Sequence, residues 1–243
     1  MVDPKIIAEL APTGVLRAAI NMGNMLLVTG RESNGDPQGV SPDMARAIAE
    51  RLGVPVKFVP YAKPSELADD AGKGLWDIGN IGAEPQRAEK IFFTAAYAEI
   101  EATYLVPAGS RIQNIAEVDQ AGVRICTNQG SAYDLWLDRN ITKATLVRPP
   151  KGVKPFDLFV QDKLEAFASL RPALVEDVKK LPGARILEGQ FASVQQAVGT
   201  ARTNVAGAAF LAAFVEEAKA SGLVARFIEN RGVKGKLSVA PAA

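Results

Sequence analysis

One arginine stands in a short polar turn between two apolar runs, where it could bind a carboxylate. The apolar runs are Trp76–Ile81 and Ile91–Phe93, and the turn between them carries Arg87. A guanidinium offers two parallel N–H donors that match the two oxygens of a carboxylate. Because surface arginines are common, an exposed Arg87 paired with Glu84 or Glu89 is the simpler interpretation of this spacing. Both interpretations remain open on these residues alone.

A second polar segment, Asn128–Tyr133, joins a predicted strand to a predicted helix. Gly130 and Ser131 stand where that helix begins, so we expect their backbone amides to direct positive partial charge toward a bound anion. If the two segments belong to separate lobes of the protein, a carboxylate held by Arg87 and by this helix start would favour closure of those lobes. A Gly-Ser pair is also an ordinary helix cap, and the two roles are evenly matched.

The composition excludes several classes of chemistry. Among 243 residues, 28 basic and 27 acidic side chains give a formal net charge of +1, so nucleic acid is not an expected partner. The chain has no histidine and Cys126 is its one cysteine. An internal disulfide, a Cys/His zinc site and imidazole catalysis are therefore excluded, and we expect neither a cofactor nor a metal.

Apolar patterning places the chain outside the membrane. No run approaches the roughly 20 apolar residues that cross a bilayer, and the N-terminal sequence lacks the basic and apolar regions of a secretory signal. Two expectations follow: either a signal has been removed from a periplasmic protein, or the protein stays in the cytoplasm.

Strand-like and helix-like segments alternate along the chain, which is typical of α/β folds. We predict two lobes of mainly parallel sheet flanked by helices and joined by two hinge crossings, with lobe 1 formed by 1–104 plus 200–243 and lobe 2 by 105–199. One crossing is placed near Pro107–Ser110 and the other near 195–199. The predicted strands are 15–21, 56–59, 76–81, 103–106, 123–126, 145–147, 164–168 and 185–187, and the predicted helices are 41–52, 64–73, 131–137, 156–161 and 205–219.

The clearest predicted helix begins at Ser41, which we expect to be its N-cap, and ends at Gly53. In open α/β sheets the ligand lies beyond the carboxyl ends of the strands, because loop amides and helix N-termini gather there. Arg87 and the segment Asn128–Tyr133 both follow predicted strand ends, so they are the leading candidates for a site in a cleft between the lobes.

Four short segments carry a family resemblance through their order and spacing: Gly39–Gly53 (GVSPDMARAIAERLG), Trp76–Ile78 (WDI), Pro85–Ala88 with Phe93–Tyr97 (PQRA and FTAAY), and Gln129–Tyr133 (QGSAY). Together they resemble the type II periplasmic solute-binding proteins of the amino-acid-binding kind (family 3), which are components of ABC importers. The resemblance extends over nearly the whole chain. The resemblance implies that Arg87 takes the ligand carboxylate with help from Ser131 and nearby amides. It further implies that Tyr133 and aromatic residues near the first strand end shape the pocket.

The chain departs from that family at two places. The turn between Asp77 and Arg87 is shorter than usual and lacks the hydroxyl-rich run that helps to hold an α-amino group. Leu170 stands where the family usually has an acid that pairs with the ligand ammonium. Since burying an ammonium without a counter-charge costs several kcal/mol, either another acid serves or the ligand has no amine.

The acids that could replace the missing one are Glu84, Glu99 and Glu101, of which Glu101 is preferred because the crossing strand flanks the cleft. A hinge glutamate paired with a lysine or arginine is an equally good interpretation of Glu101. Asn24, with Asn21, could donate to a ligand from the first strand end or simply form a turn. The remaining residues of interest, Trp76, Trp136 and Cys126, are predicted to belong to the core.

The leading hypothesis is a solute-binding protein that captures a small carboxylate, such as an amino acid or an analogue, and delivers it to the membrane subunits of an ABC permease. We expect it to be a monomer. One alternative is a lyase resembling cyclohexadienyl dehydratase, with Glu101 or Glu165 as general acid and Arg87 holding the carboxylate. Another alternative is a cytoplasmic protein that binds or senses a ligand.

Overall fold

The computed structural model describes residues 2–243 and separates into two compact units. The first unit comprises residues 2–99 with Gln195–Ala243, and the second comprises Ile100–Val194. Both boundaries fall a few residues before the predicted ones at 104/105 and 199/200. The crossings lie within long strands, and the turn Pro107–Ser110 lies inside the second unit.

The first unit is built around a parallel sheet. Its first chain segment contains α1 (Pro4–Leu10), β1 (Leu16–Asn21), β2 (Gly30–Arg31), β3 (Pro37–Gln38), α2 (Val40–Leu52), β4 (Val56–Tyr61), α3 (Pro64–Asp69), β5 (Ile78–Gly82), α4 (Pro85–Ala88) and β6 (Ile91–Phe93). Strand β1 pairs in parallel with β4 on one side and with β5 on the other. The carboxyl ends of these three strands therefore share one edge of the sheet.

Strand β7 (Ala98–Val106) leads into the second unit, which repeats this arrangement. The unit continues with the 3₁₀ turn Ile115–Glu117, β8 (Arg124–Cys126), α5 (Ala132–Asn140), β9 (Thr145–Val147), α6 (Pro155–Gln161), β10 (Ala166–Leu170), α7 (Arg171–Asp177), the 3₁₀ turn Val178–Lys180 and β11 (Arg185–Ile186). Strand β8 pairs in parallel with β9 and β10, whereas β7 pairs antiparallel with β10 and β11.

Strand β12 (Ala192–Ala201) returns the chain to the first unit, where α8 (Val205–Ala220), α9 (Leu223–Asn230) and β13 (Ser238–Val239) complete it. In that unit β12 runs antiparallel to β5 and β6. Each unit thus combines parallel central strands with antiparallel neighbours and flanking helices, and the predicted α/β class is confirmed.

Of the residues predicted to be core, Trp76 and Cys126 are buried and Trp136 is half-buried. Trp76 packs with Leu67 and donates from Nε1 to the Leu67 carbonyl at 3.2 Å. Trp136 packs against Phe191, with ring centroids 5.2 Å apart. The Cys126 thiol is fully buried, and burial raises its pKa to about 12, so it is not a reactive thiolate.

The start of α2 differs from the prediction. The helix begins at Val40 with Gly39 as its N-cap, so the expected N-cap, Ser41, is wrong. The Ser41 hydroxyl instead lies 2.7 Å from the Tyr97 hydroxyl in a buried hydrogen bond. That partner is distant in sequence, which is why local capping rules missed it. The predicted C-terminal cap at Gly53 is confirmed, with a left-handed φ of 72°.

Asp119 anchors a turn in the second unit and gives a pH-dependent contribution to stability. Its carboxylate accepts hydrogen bonds from the amides of Lys143 and Ala144 at 2.8 and 2.9 Å, and from the amide and hydroxyl of Thr142. These donors, led by the Ala144 amide, lower the pKa of Asp119 to about 2.

We therefore expect Asp119→Ala to destabilise the protein at neutral pH and to lose that effect in acid. The folded-state pKa lies below the unfolded value of about 3.9, so the stabilisation is present above about pH 4 and disappears as the pH falls toward 2. Denaturant unfolding of the wild type and the variant between pH 2 and 7 measures the difference. A difference that stays constant over this range would contradict the assignment.

Candidate ligand-binding site

The short helix α4 places Arg87 inside the first unit. Pro85 is its first residue, and the Glu84 carbonyl accepts from the amides of Arg87 and Ala88 at 3.0 and 2.9 Å. The Arg87 side chain is buried, with 6% of the residue surface exposed, and Nη1 donates to the Gly82 carbonyl at 2.7 Å. This burial contradicts the alternative of an exposed surface arginine.

Burial dominates the electrostatics of Arg87. It lowers the pKa of the guanidinium to about 10, and the neighbouring Glu84 carboxylate acts in the opposite direction. The group therefore stays protonated at neutral pH in surroundings that disfavour a cation. An anion placed against it would regain part of the lost solvation, which is the property expected of a carboxylate receptor.

In the second unit the segment before α5 is held together by its own hydrogen bonds. The Gly130 amide donates to Asp134 Oδ2 at 2.9 Å, and the Ser131 amide donates to the Asn128 carbonyl at 3.1 Å. Ser131 is the N-cap, and its Oγ accepts from the Asp134 amide at 3.1 Å. The two amides were expected to face a ligand. They donate instead to Asp134 of α5 and to Asn128, which corrects that expectation. The Ser131 hydroxyl proton is the donor that this position can offer.

Tyr133 belongs to a cluster of neutral polar groups, which we call the hydroxyl cluster: Asn128, Ser131, Tyr133 and Ser169. The last three are buried, whereas Asn128 is exposed. Burial is the main cause that raises the pKa of Tyr133, so the hydroxyl remains protonated, and the side chains of the other three members act on the pKa in the opposite direction. The cluster can therefore donate hydrogen bonds to ligand oxygens without supplying charge.

Ser169 was missed in the sequence because it lies within an apolar strand segment. It stands near the end of β10 and is 7% exposed. Strands β8 and β10 are parallel neighbours, with Phe167 opposite Cys126, so their carboxyl ends lie side by side. A search for polar residues at the ends of adjacent predicted parallel strands would have paired Ser169 with Asn128.

The end of β1 carries turn-forming asparagines. Asn24 Oδ1 accepts from the Leu26 amide at 3.1 Å, and Asn21 Oδ1 accepts from the Gly23 amide at 3.0 Å. These contacts favour the turn-forming interpretation, and the side-chain NH₂ of Asn24 is the donor that it could still present to a ligand. The exposed side chain here is Met25, at 82%, so the expected aromatic residue is replaced by a methionine.

The candidate acids differ in their partners. Glu101 Oε2 lies 2.5 Å from Arg171 Nε, which is the ion pair that the alternative interpretation of Glu101 anticipated. Glu99 accepts from the Gln195 side-chain amide at 2.7 Å. Leu170 packs beside Tyr133 and supplies no charge. Glu101 thus already has a cationic partner, whereas Glu99 is bonded to a neutral one.

Glu165, the other acid considered for catalysis, forms a two-pronged ion pair. Its Oε2 accepts from Arg124 Nε at 2.8 Å and its Oε1 from Arg124 Nη2 at 2.8 Å. The Arg124 guanidinium is the main cause that lowers the pKa of Glu165. A carboxyl group stabilised as the anion is a poor proton donor at neutral pH.

Within residues 2–243 no helix combines the length and apolarity that would carry it across a membrane. The same residues contain no grouping of three or more histidine, cysteine or carboxylate side chains that could hold a metal ion.

Comparison with protein families gives one match over most of the chain. The family described as bacterial extracellular solute-binding proteins, family 3, matches residues 25–230. The match includes Arg87 of the first unit and the whole hydroxyl cluster of the second.

Two characterised relatives share part of the sequence. Cyclohexadienyl dehydratase of Pseudomonas aeruginosa is 29% identical over 161 residues, which are 65% of this chain and 59% of that protein. Membrane-bound lytic murein transglycosylase F of Maricaulis maris is 26% identical over 138 residues, which are 54% of this chain and 29% of that protein. The match therefore spans less than two thirds of the length of either relative.

Solved structures share the fold. A variant of the arginine-binding protein ArgBP of T. maritima is 20% identical and superposes with a TM-score of 0.73 over 94% of this chain and 100% of its own. The binding component of an ABC transporter from Wolinella succinogenes, complexed with lysine, is 18% identical with a TM-score of 0.74 over 92% and 98%. The ancestral amino-acid-binding protein AncCDT-1, a precursor of cyclohexadienyl dehydratase, is 18% identical with a TM-score of 0.72 over 92% and 97%.

Proposed function

We propose that this chain, which belongs to the bacterial extracellular solute-binding proteins, family 3, captures a small carboxylate and delivers it to the membrane subunits of an ABC permease. The ligand is an amino acid or a close analogue of one. The observation that carries the proposal is the buried guanidinium of Arg87 in the first unit. In this account the protein is periplasmic, acts as a monomer and performs no reaction on its ligand.

Arg87 has the chemistry of a carboxylate receptor. Its Nη1 donates to the Gly82 carbonyl, and a guanidinium carries five N–H donors in a planar fork that matches a carboxylate. Burial destabilises the cation, as the lowered pKa of about 10 reflects. A ligand carboxylate would place negative charge and two parallel acceptors beside this buried cation, so binding energy concentrates at this group.

The hydroxyl cluster of the second unit is proposed as a separate contact surface for the ligand. Ser131 and Tyr133 offer neutral donors at the carboxyl ends of β8 and β10, with Ala132 and Leu170 beside them. Such a surface suits polar oxygens and an apolar body. Asn24 is retained as a contact of the first unit, through its side-chain NH₂.

Whether the ligand has an amine depends on the acids. Glu101 is bound to Arg171, so its use for an ammonium would require exchange of one cation for another. Glu84 lies close enough to Arg87 to influence its pKa and is the alternative in the first unit. An amine-free acid needs neither residue. Comparing the binding of amino acids with that of 2-oxo acids therefore decides whether the ligand has an amine.

A thermal-shift screen tests the proposal. The purified protein is mixed with L-arginine, L-lysine, L-glutamine, L-glutamate, pyruvate, 2-oxoglutarate, succinate or prephenate. At 100 times its Kd a ligand stabilises the folded protein by about 2.7 kcal/mol, which raises Tm clearly. We expect at least one carboxylate to do so. If none of these compounds and no further amino acid, 2-oxo acid or dicarboxylate raises Tm, the binding function is contradicted.

A dehydratase is the second candidate, because the P. aeruginosa relative bears that activity. Of the acids proposed as proton donors, Glu101 is bound to Arg171 and Glu165 is held as an anion by Arg124. We therefore expect prephenate to persist when incubated with the protein. Formation of an aromatic product, followed by its ultraviolet absorbance, would replace the binding function by the catalytic one.

A further inference from the structure

We propose that Asp134 and Arg148 are positioning residues that fix the segment Asn128–Ser131 in the conformation that presents the Ser131 hydroxyl to the ligand. The inference rests on the proposed function, and it extends that function to two residues outside the hydroxyl cluster. Neither Asp134 nor Arg148 needs to touch the ligand, because both act through Gly130 and Ser131.

Asp134 holds both residues that precede α5. Its Oδ2 accepts from the Gly130 amide at 2.9 Å, while its own amide donates to Ser131 Oγ at 3.1 Å. These reciprocal bonds fix the backbone where Gly130 has a φ of +76°. Since a lone pair of Ser131 Oγ is used by Asp134, the hydroxyl proton is directed to another acceptor, such as Tyr133 or a ligand oxygen.

Arg148 stabilises the buried carboxylate of Asp134. Asp134 is 2% exposed, and Arg148 Nε lies 2.9 Å from its Oδ1 and 3.3 Å from its Oδ2. Arg148 also donates from Nη2 to Asp138 Oδ1 at 2.8 Å, one helical turn further along α5. The guanidinium therefore binds two carboxylates on the same helix and sets the orientation of Asp134 toward Gly130. Without Arg148, Asp134 would be a buried anion without its countercation.

The second unit contains a matched ion pair at the opposite end of the same strands. Arg124 begins β8 and binds Glu165, which directly precedes β10, through two hydrogen bonds. Asn128–Ser131 follows the other end of β8. Replacing Arg124 removes an arginine side chain and its hydrogen bonds from the same unit, but it leaves the contacts of Gly130 in place. Arg124→Gln is therefore the control for Arg148→Gln.

The first test measures ligand affinity. Isothermal titration with each compound of the screen that binds the wild type is repeated with Arg148→Gln, Arg148→Lys and Arg124→Gln. We expect Arg148→Gln to weaken binding about tenfold to a hundredfold. Arg148→Lys, which keeps the charge and loses the fork, should be intermediate, and Arg124→Gln should bind as the wild type does. Equal affinities of Arg148→Gln and Arg124→Gln would overturn the inference.

The second test requires no ligand. In NMR spectra of the ¹⁵N-labelled protein, the Gly130 amide should resonate downfield and exchange slowly, as expected of a bond to a carboxylate. Arg148→Gln should shift it upfield and speed its exchange, while Arg124→Gln leaves it unchanged. An unchanged Gly130 amide in Arg148→Gln would reject the positioning role. If the amide responds but no compound binds the wild type, the proposed function fails and the structural link between Arg148 and Gly130 stands.

Discussion

Replacement of Arg87 by glutamine is expected to weaken carboxylate binding by about 30-fold or more, corresponding to the 2–5 kcal/mol typical of removing one partner of a buried charge pair. The expectation follows from the burial of Arg87, which lowers the pKa of its guanidinium to about 10 and makes a matching anion valuable. Arg87→Lys should recover only part of the loss, because lysine has charge but no planar fork. Isothermal titration of each variant with a ligand from the screen measures the effect.

A suitable control is an arginine that follows β12 and donates to the same turn. Arg202 is exposed and donates from Nη1 to the Ala88 carbonyl at 2.6 Å, so Arg202→Gln also removes an arginine bond to this part of the backbone. We expect Arg202→Gln to bind ligand normally. Wild-type affinity in Arg87→Gln, with the fold verified by Tm, would remove Arg87 from the site.

Replacement of Gly39 by alanine is expected to destabilise the protein by roughly 3 kcal/mol or more, because backbone strain and overpacking each cost about 1–3 kcal/mol. A Cβ at this position would lie 2.2 Å from the Leu27 carbonyl oxygen and 2.8 Å from Val28 Cα, both of which are backbone atoms that cannot rotate away. The φ of +150° is also one that only glycine adopts readily.

For a protein of this size about 3 kcal/mol corresponds to a decrease in Tm of about 6–12 °C. Gly53→Ala is the matched control, because Gly53 flanks the other end of α2 with a positive φ of 72° and no atom within 4 Å of a new Cβ. It should cost only about 1–2 kcal/mol, from the left-handed conformation alone. Similar decreases in Tm for both variants would show that the contact with Leu27 is unimportant.

The sequence predicted a feature correctly where neighbouring residues alone determine it. The end of α2 at Gly53 and the burial of Trp76 and Cys126 follow from spacing and residue type within a few positions. Helix α9 was missed, although Val224 and Ile228 have helical spacing, because Gly222 was taken as the end of α8 alone. Gly222, with a positive φ of 72°, follows the end of α8 and is also the N-cap of α9.

The candidate site was less predictable because its partners are distant in sequence. The segment around Arg87 could be located from a strand end, but the burial of its side chain could not. The Arg171 partner of Glu101 is 70 residues away, and Ser169 reaches Tyr133 only through the pairing of β8 with β10. Residue spacing indicates where a strand ends, whereas tertiary contacts decide which charges are already neutralised.

The central claim, that Arg87 binds the carboxylate of the ligand, is tested most directly by a thermodynamic cycle. Isothermal titration compares a bound acid from the screen with its primary amide, on the wild type and on Arg87→Gln. The account predicts that conversion of the carboxylate to the amide greatly weakens binding to the wild type and has little further effect on Arg87→Gln. An equal loss on both proteins would mean that the carboxylate is recognised by a different group.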